Sequence, residues 1–498
     1  MDQLASEHMN LGQLSSRFSS RAPAVHTIAI LGAGFSGTLV AINLLQLEHA
    51  RALRIVLVER NEFGRGIAYA SRQYPYLLNV PVGRMSASSA DPLEFLTYLQ
   101  RDWPLATAHD FVPRERYGEY LRWKLALAET GSPSRVQLIR VPGCASSIER
   151  TRFAFRIRLA DGRTLVASTI VLALGNPPRA RLPAAESVRR SALYIEEPYA
   201  APPTLRPGES VLIAGTGLTM ADIALAGNES AGGGAIIHAI SPHGLISSFE
   251  TKFCEPAKQD DAVSLLMQAP RSVRHLLKLT RALCDAAACG GEDWRGMISR
   301  LCALAPRLWL DLSEVERRRF LRHVRAYWDV HRDRLPPCTW SAIEDLRKNG
   351  KLHVHAGRLI AMRIAGKQIH VRWRPRGESF ERILAIDRVI NCTGPEYDLR
   401  NSQNRLWRSL FARGVAVPDP LGLGLSTEEF GALRDVNGRP ARDLYYVGPM
   451  FQGNHWETVT VQELRVRAEQ LARHLATLNA ERATPRDSIE VVQALDAR

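Results

Sequence analysis

The chain has 498 residues, of which 45% are hydrophobic and 23% are charged, and its net charge is +14. This composition is typical of globular proteins and excludes a disordered or fibrous chain, while the length predicts two to four domains. Because no apolar run approaches the ~18 residues of a membrane span and the abundant arginines are scattered, we expect a cytoplasmic protein with no membrane and no nucleic-acid partner.

The segment before Val25 is polar, carries Asp2 and Glu7, and lacks the apolar core of a signal peptide. We therefore expect a disordered tail at 1–24, and a second tail at 479–498. The seven cysteines are odd in number and irregularly spaced, which favours free thiols over a disulfide framework. Because the sequence contains no closely spaced cysteine pair of the zinc-binding kind, it predicts no metal site.

A strand, a glycine-rich turn and a helix follow from Val25. The turn runs from Gly32 to Gly37, and the next apolar strand ends at Glu59. In such a unit the first glycine permits a tight turn, the second lets the backbone approach a pyrophosphate, and the carboxylate accepts hydrogen bonds from a ribose. This predicts a dinucleotide site that includes Gly32, Gly34, Phe35, Ser36, Gly37, Glu59 and Arg60.

A second unit of this kind begins at Ser210. Its turn keeps two glycines but has Met220 at the third position, and the strand that follows ends at Ser241 without an acidic residue. Because His243 is the one nearby cation for a 2′-phosphate, the choice between NADH and NADPH stays open. We expect a coenzyme site formed by Gly215, Gly217, Leu218, Thr219 and His243.

Two segments alternate between polar and apolar residues, at 135–174 and 352–394, which predicts antiparallel strands that return the chain to its sheets. The sequence as a whole predicts an α/β fold with two Rossmann-like dinucleotide-binding domains, the first of them discontinuous. The expected ranges are 25–205 and 385–478 for the first domain, 206–384 for the second, and about 255–348 for a helical insert within it.

The chain resembles the bacterial FAD/NAD(P)-binding protein family whose domain is called NAD-binding 9. The likeness covers nearly all of the sequence after residue 25, and it rests on runs such as GRGIAYASRQYPYLLNVPVGRMSASSADPLEFLTYL (64–99), VLIAGTGLTMADIAL (211–225), RVINCTGP (388–395) and HWETVTVQELRVRAEQLA (455–472). The resemblance implies that FAD occupies the first site, and that NADPH or NADH occupies the second.

Beside that FAD, the run from Gly448 to Thr458 leads into a helix whose N-terminus would stabilise the reduced flavin. The alternative is an ordinary loop–helix junction with Trp456 in the core. His455 is the expected acid–base group, and Asn79 and Arg84 either contact flavin or an anionic substrate or form an ordinary loop. Further flavin contacts are expected from Tyr69, Asn79, Met85, Gly394, Gly448, Gly453, Trp456, Glu457 and Thr458.

The resemblance implies a FAD-dependent NAD(P)H monooxygenase. It would hydroxylate a small, anionic, nitrogen-containing substrate through a flavin C4a-hydroperoxide, as amino-acid N-hydroxylases and urate-type hydroxylases do, with molecular oxygen as co-substrate. Homodimerisation stays open.

The alternative is a reductase that passes flavin electrons to an acidic protein partner. A disulfide reductase is disfavoured, because the closest cysteine pair, Cys284 and Cys289, lies far from the first unit.

Overall fold

The computed structural model describes residues 25–70, 74–200, 203–250 and 261–481. The predicted tail at 1–24 lies outside these residues, as do positions 482–498 of the predicted C-terminal tail.

The first sheet has six strands. They are β1 (His26–Leu31), β2 (Leu53–Glu59), β3 (Val136–Pro142), β7 (Thr169–Leu172), β15 (Ala432–Arg434) and β16 (Pro440–Tyr446). Their order is β15-β16-β7-β1-β2-β3, and all except the antiparallel edge strand β15 run parallel. Parallel strands aligned in this way bring their carboxyl ends to one edge, where ligands bind in open α/β sheets.

Both faces of this sheet are covered. One face packs against α1 (Phe35–Gln46), α3 (Arg114–Thr130) and α12 (Val461–Glu481), and the short helix α2 (Glu94–Leu99) packs against the same core. The other face packs against an antiparallel sheet of β4 (Ala145–Arg150), β5 (Phe155–Leu159) and β6 (Thr164–Ala167), and against α11 (Arg405–Ala412). Of the antiparallel strands predicted at 135–174, β4 to β6 are confirmed, whereas β3 and β7 in the same range run parallel in the first sheet.

The second sheet has seven strands. They are β8 (Tyr194–Ile195), β9 (Ser210–Ala214), β10 (Ile236–Ser241), β11 (Leu352–Ala365), β12 (Gln368–Pro375), β13 (Arg382–Ile386) and β14 (Arg388–Asn391). Their order is β13-β12-β11-β10-β9-β14-β8, with an antiparallel meander of β11 to β13 joined to a parallel core. Helices α4 (Leu218–Ser230) and α10 (Pro337–Lys348) cover one face. The two predicted dinucleotide-binding folds are therefore both formed.

From residue 261, where the description of the insert begins, five helices precede α10: α5 (Asp261–Gln268), α6 (Val273–Cys289), α7 (Trp294–Asp311), α8 (Glu314–His323) and α9 (Arg325–Arg332). The Ser313 hydroxyl caps α8 by accepting a hydrogen bond from the Glu316 N–H at 3.4 Å. In the part of the chain that the structure describes, no helix is both long and apolar enough to cross a membrane.

Two strands and one helix pack elsewhere than the predicted domain ranges indicate. Strands β8 and β14 both pair within the second sheet, although residues up to 205 and from 385 were predicted to belong to the first domain. Helix α10, predicted as part of the insert, packs instead on the second sheet beside α4. The physical reason is that a strand of only two to four residues carries no information about the sheet that it joins.

Three histidines stack on one face of the second sheet. His238 on β10 lies beside His353 and His355 on β11, with ring centroids 5.1 and 5.4 Å away, and its Nδ1 lies 3.1 Å from Nε2 of His355. Within the described residues, no group of three or more histidine, cysteine or acidic side chains is placed to hold a metal ion. Burial and the two neighbouring histidines lower the pKa of His238 from 6.5 to about 4.

This histidine stack should make the protein less stable as the pH falls from 7.5 to 5. Because the folded state has the lower pKa, the unfolded chain binds the proton first, and stability is lost progressively below pH 6.5. Because His238 is only half-buried, solvent screening limits the loss to about 1 kcal/mol at pH 5. Urea-unfolding midpoints measured across this range should fall less steeply for His238→Gln than for wild type. The exposed His323→Gln is the control, and an unchanged slope in His238→Gln would contradict the assignment.

Candidate functional site

The first glycine turn lies at the carboxyl end of β1. Gly32 has φ +106° and donates its N–H to the Val58 carbonyl at 2.8 Å, and a Cβ here would lie 2.2 Å from the Ala173 oxygen. A Cβ on Gly37 would lie 1.9 Å from the Gly32 oxygen. These two glycines are therefore required by the protein itself, because any side chain would collide with backbone.

Gly34 is different. It precedes α1 with φ −72°, and a Cβ built on it would meet only the Gly66 Cα, at 3.4 Å. The protein thus has room for a methyl group at this position, on the side where a bound pyrophosphate would approach the helix N-terminus. This open cradle fits the diphosphate of FAD.

The carboxylate of Glu59 is fixed at the end of β2. One oxygen accepts the Ala33 N–H at 2.8 Å and the other accepts the Asn61 N–H at 3.0 Å, which ties the carboxylate to the glycine turn. Each carboxylate oxygen keeps a further acceptor position, so Glu59 can still accept hydrogen bonds from a ribose. The neighbouring Arg60 side chain is exposed.

The second glycine turn repeats the geometry of the first. Gly215 has φ +116° and donates to the Ile240 carbonyl at 2.8 Å, and a Cβ here would lie 2.4 Å from the Cys392 oxygen. Gly217 precedes α4 with φ −84°, and its Cβ would have no neighbour within 4 Å. Leu218 and Thr219 form the first, half-buried turn of α4.

His243 lies just beyond β10, and its ring is 5.6 Å from that of Tyr327 on α9. Its Nδ1 is buried and has no hydrogen-bond partner among the residues that the structure describes. An unpaired polar atom at the end of the second strand fits a contact with a coenzyme, because buried polar groups are normally hydrogen-bonded.

The loop 79–86 meets the N-terminal part of α12. Arg465 on α12 donates to the Ser86 carbonyl at 2.7 Å, and Met85 is buried beside it. The Thr460 hydroxyl accepts the Glu463 N–H at 3.2 Å and so caps the start of α12. The structure therefore brings the predicted Asn79–Met85 loop and the predicted flavin-side helix together.

The segment before α12 is tied to the helical insert. Glu457, a non-glycine residue with φ +79°, is buried and accepts a hydrogen bond from Trp328 Nε1 at 2.8 Å, while its other oxygen pairs with Arg332. Trp456 stacks on Trp309 at 4.7 Å, and its indole N–H has no partner among the described residues. Trp456 thus packs in an aromatic cluster of the insert, while one polar atom is left for a ligand.

His455 is held in one tautomer. Its Nδ1 lies 2.8 Å from the Arg467 guanidinium, which can only donate, so the proton of the neutral ring sits on Nε2. Burial and the nearby positive charge of Arg467 lower the pKa of His455 to about 4. At neutral pH His455 is therefore an uncharged hydrogen-bond donor. Because Arg465 and Arg467 are two positions apart on a helix, His455 and Ser86 approach α12 from opposite sides.

Arg84 lies where three parts of the chain meet: the loop 79–86, the segment after β10 and the helical insert. It lies close enough to Glu250, Arg334 and Cys302 to interact with them electrostatically. Burial lowers the pKa of Arg84. Arg334 is paired with Glu250 at 2.9 Å, whereas no side-chain hydrogen bond or ion pair of Arg84 is found within the described residues. Arg84 is thus a half-buried cation available to an anion.

The thiol at this junction is not a nucleophile. Burial and the Glu457 carboxylate raise the pKa of Cys302 to about 12, so the thiol stays protonated. Cys284 and Cys289 both lie on α6, at the outer part of the insert, and are free thiols. Neither arrangement places a reactive dithiol beside the first glycine turn.

The remaining predicted residues are packed side chains near the first glycine turn and α12, and three glycines. Tyr69 packs against Tyr117 at 4.8 Å and Phe35 at 6.5 Å, and Ser36 and Thr458 are buried. The glycines at 394, 448 and 453 lie in turns; a Cβ on Gly453 would clash with Asp419 at 2.3 Å, whereas Gly394 has open space. Gly453 thus has a packing role, and its carbonyl accepts the Trp309 Nε1 hydrogen at 2.9 Å.

We call the first sheet with its helices the flavin-binding half, and the second sheet with the helical insert the coenzyme-binding half. Sequence reasoning missed the residues that join these two halves: Arg114, Tyr199, Asp222, Trp309, Trp328 and Arg332. These partners are separated by up to 144 positions in the chain. No local pattern identifies them, because each pair is formed only by packing.

Comparison with known proteins agrees with this geometry. Residues 29–177 match the family NAD-binding 9, described as FAD-NAD(P)-binding. No curated protein sequence matches the chain.

Solved structures share its fold. An ornithine hydroxylase from Pseudomonas aeruginosa has a TM-score of 0.59 at 17% identity, over 91% of this chain and 99% of that one. An L-lysine 6-monooxygenase from Pseudomonas syringae has a TM-score of 0.59 at 15% identity, over 92% and 100%. An ornithine N-hydroxylase from Kutzneria sp. 744, with reduced FAD, NADP+ and L-ornithine, has a TM-score of 0.56 at 16% identity, over 93% and 100%.

At these identities the structural comparisons establish the fold, while the family match covers the part of the chain that contains the first glycine turn and Glu59. Residues 29–177 therefore match the FAD-NAD(P)-binding family NAD-binding 9, and the chain as a whole shares the fold of the ornithine and lysine hydroxylases.

Proposed function

We propose that this chain is a FAD-dependent monooxygenase that consumes NADPH or NADH and hydroxylates a small, nitrogen-containing substrate with a carboxylate or comparable anionic group. One oxygen atom of O2 would enter the product and the other would leave as water, with the two electrons supplied by the coenzyme. FAD supplies the transfer of these electrons to oxygen when it is bound.

The observation that carries this proposal is Arg84, which lies between the loop 79–86 and the helical insert and has no side-chain hydrogen bond or ion pair among the described residues. Glu250, the anion nearest to Arg84, is already paired with Arg334, so the half-buried Arg84 guanidinium costs free energy unless a ligand pairs with it. Both open glycine turns, at Gly34 and Gly217, leave room for the two dinucleotides that the reaction requires. The similarity in fold to ornithine and lysine hydroxylases is consistent with this chemistry.

The aromatic residues that join the helical insert to the segment before α12 are suited to excluding water. Trp456, Trp309 and Phe320 form an aromatic cluster, with Phe320 and Trp456 centroids 5.3 Å apart, and the Glu457–Arg332 pair closes the segment before α12. Enclosure of the flavin favours transfer of oxygen to the substrate, because access of water to the flavin promotes release of hydrogen peroxide instead.

A set of matched compounds tests the proposal. Amino acids and the amines left by removal of their carboxylate, such as lysine with cadaverine and ornithine with putrescine, should be compared, together with aspartate and urate. We expect a carboxylate-bearing or otherwise anionic compound to stimulate NAD(P)H oxidation and to yield a hydroxylated product in proportion to the coenzyme consumed. Peroxide alone with every compound, together with rapid reduction of an acidic acceptor protein, would favour the electron-transfer reductase.

Arg84→Gln should raise the KM for the anionic substrate about 10- to 100-fold, the value of a lost hydrogen bond to a charged group. Flavin content and the slow NAD(P)H oxidation without substrate should stay near wild type. The exposed Arg101→Gln is the matched control, since it removes one positive charge from the same half. An unchanged KM in Arg84→Gln would remove this residue from the substrate site.

A further inference from the structure

A buried ion pair joins the two halves of the molecule. Arg114, the first residue of α3, donates to Asp222 Oδ2 at 2.7 Å, and the hydroxyl of Tyr199 donates to the same oxygen at 2.5 Å. The Arg114 and Asp222 side chains are only 17% and 11% exposed. Arg114 belongs to the flavin-binding half, whereas Asp222 lies on α4 of the coenzyme-binding half. We call these three side chains the α3–α4 clamp.

Aromatic rings enclose the clamp. The Arg114 guanidinium lies 5.9 Å from the ring centroid of Tyr76 and 5.5 Å from that of Tyr199, and the two rings contact each other edge to face at 5.3 Å. Tyr76 comes from the flavin-binding half of the sequence but packs in the core beneath α4. Burial and the Asp222 carboxylate raise the pKa of Tyr199, so its phenol keeps the proton that it donates.

The clamp lies close to both predicted sites in the chain. Asp222 is the fifth residue of α4, one turn beyond the open Gly217 position at which the coenzyme diphosphate would bind. On the other side, Arg114 Nε donates to the Leu77 carbonyl at 3.1 Å, two residues before Asn79 in the loop that reaches Arg84. The three side chains thus connect the coenzyme-binding helix to the flavin-side loop.

We propose that the α3–α4 clamp positions the coenzyme-binding half so that hydride transfer to the flavin can occur, which makes Arg114, Asp222 and Tyr199 positioning residues of the reaction. This inference rests on the proposed function. Hydride transfer requires the two rings to be in contact, and a displacement of about 1 Å can lower the rate of such a step about 10²-fold. Loss of a buried, two-donor contact beside the coenzyme helix is sufficient to permit such a displacement.

The chain offers a matched control for the clamp. In the flavin-binding half, Glu94 forms a similar buried trio: Lys124 Nζ donates to its oxygens at 2.5 and 2.7 Å, and the Tyr120 hydroxyl also donates to it. This trio joins α2 to α3 within one half and does not reach α4. Glu94→Gln and Asp222→Asn therefore remove the same kind of charge from the same kind of contact.

The test is anaerobic stopped-flow reduction of the purified, flavin-loaded protein by NADPH and by NADH. We expect Asp222→Asn to lower the reduction rate constant at saturating coenzyme about tenfold or more, while dithionite reduces its flavin as in wild type. Glu94→Gln should reduce at the wild-type rate. Tyr199→Phe, which keeps the ion pair, and Arg114→Lys, which keeps the charge, should fall between Asp222→Asn and wild type, and these two carry the test if Asp222→Asn does not fold.

Reduction of Asp222→Asn at the wild-type rate, or equal slowing in Glu94→Gln, would overturn the inference. Failure of the proposed function is a distinct result, because it would appear in the wild-type protein as no reduction by either coenzyme or no hydroxylated product.

Discussion

Gly34→Ala should yield a folded protein that has lost most of its FAD. The backbone at Gly34 has φ −72°, which alanine adopts freely, and the added methyl would contact only the Gly66 Cα at 3.4 Å. Its effect would therefore fall on the bound diphosphate rather than on the fold. Overpacking of about 1–3 kcal/mol at such a contact corresponds to a Kd for FAD raised roughly 10- to 100-fold.

The measurement is the ratio of flavin to protein absorbance after purification, followed by titration of the apoprotein with FAD. Gly37→Ala is not a suitable probe, because its Cβ would lie 1.9 Å from the Gly32 oxygen and would disturb the turn itself. A yellow Gly34→Ala protein with full flavin content would show that the first turn does not hold the diphosphate.

Gly217→Ala should have the complementary effect. It occupies the same position in the second turn, with φ −84° and no atom within 4 Å of the added methyl, so the fold should tolerate the change. We expect normal flavin content, normal reduction by dithionite, and a KM for NADPH and NADH raised about 10- to 100-fold, since the methyl would crowd the coenzyme diphosphate.

Together the two alanine variants act as controls for each other. If each turn binds the dinucleotide assigned to it, Gly34→Ala loses flavin and Gly217→Ala keeps it. An unchanged KM for both coenzymes in Gly217→Ala would separate the second turn from coenzyme binding, even though its backbone geometry repeats that of the first.

Features that depend on a few neighbouring residues could be predicted from the sequence. The two glycine turns, the carboxylate at the end of β2, the period-two strands after each unit and the helical insert are confirmed, because turn geometry and side-chain periodicity are local properties. The pairing of β8 and β14 with the second sheet could not be predicted, since strands of two and four residues carry no signal of the sheet that they join.

The environment of the candidate site was decided only in three dimensions. His455 could be named from its place in the sequence, but its partnership with Arg467, and thus its neutral form, depends on the packing of α12. Arg84 could be named as a cation, but its position beside the Glu250–Arg334 ion pair results from the meeting of three separate segments.

The sequence by itself thus determined the geometry of the two glycine turns at which we predict dinucleotide binding, because each turn is built from consecutive residues whose conformational limits are local. Only the tertiary structure decided how the two halves are held together, through Arg114 and Asp222, which are 108 positions apart. The physical reason is that ion pairing and burial depend on distances in space. The pattern of side chains along the sequence does not specify these distances.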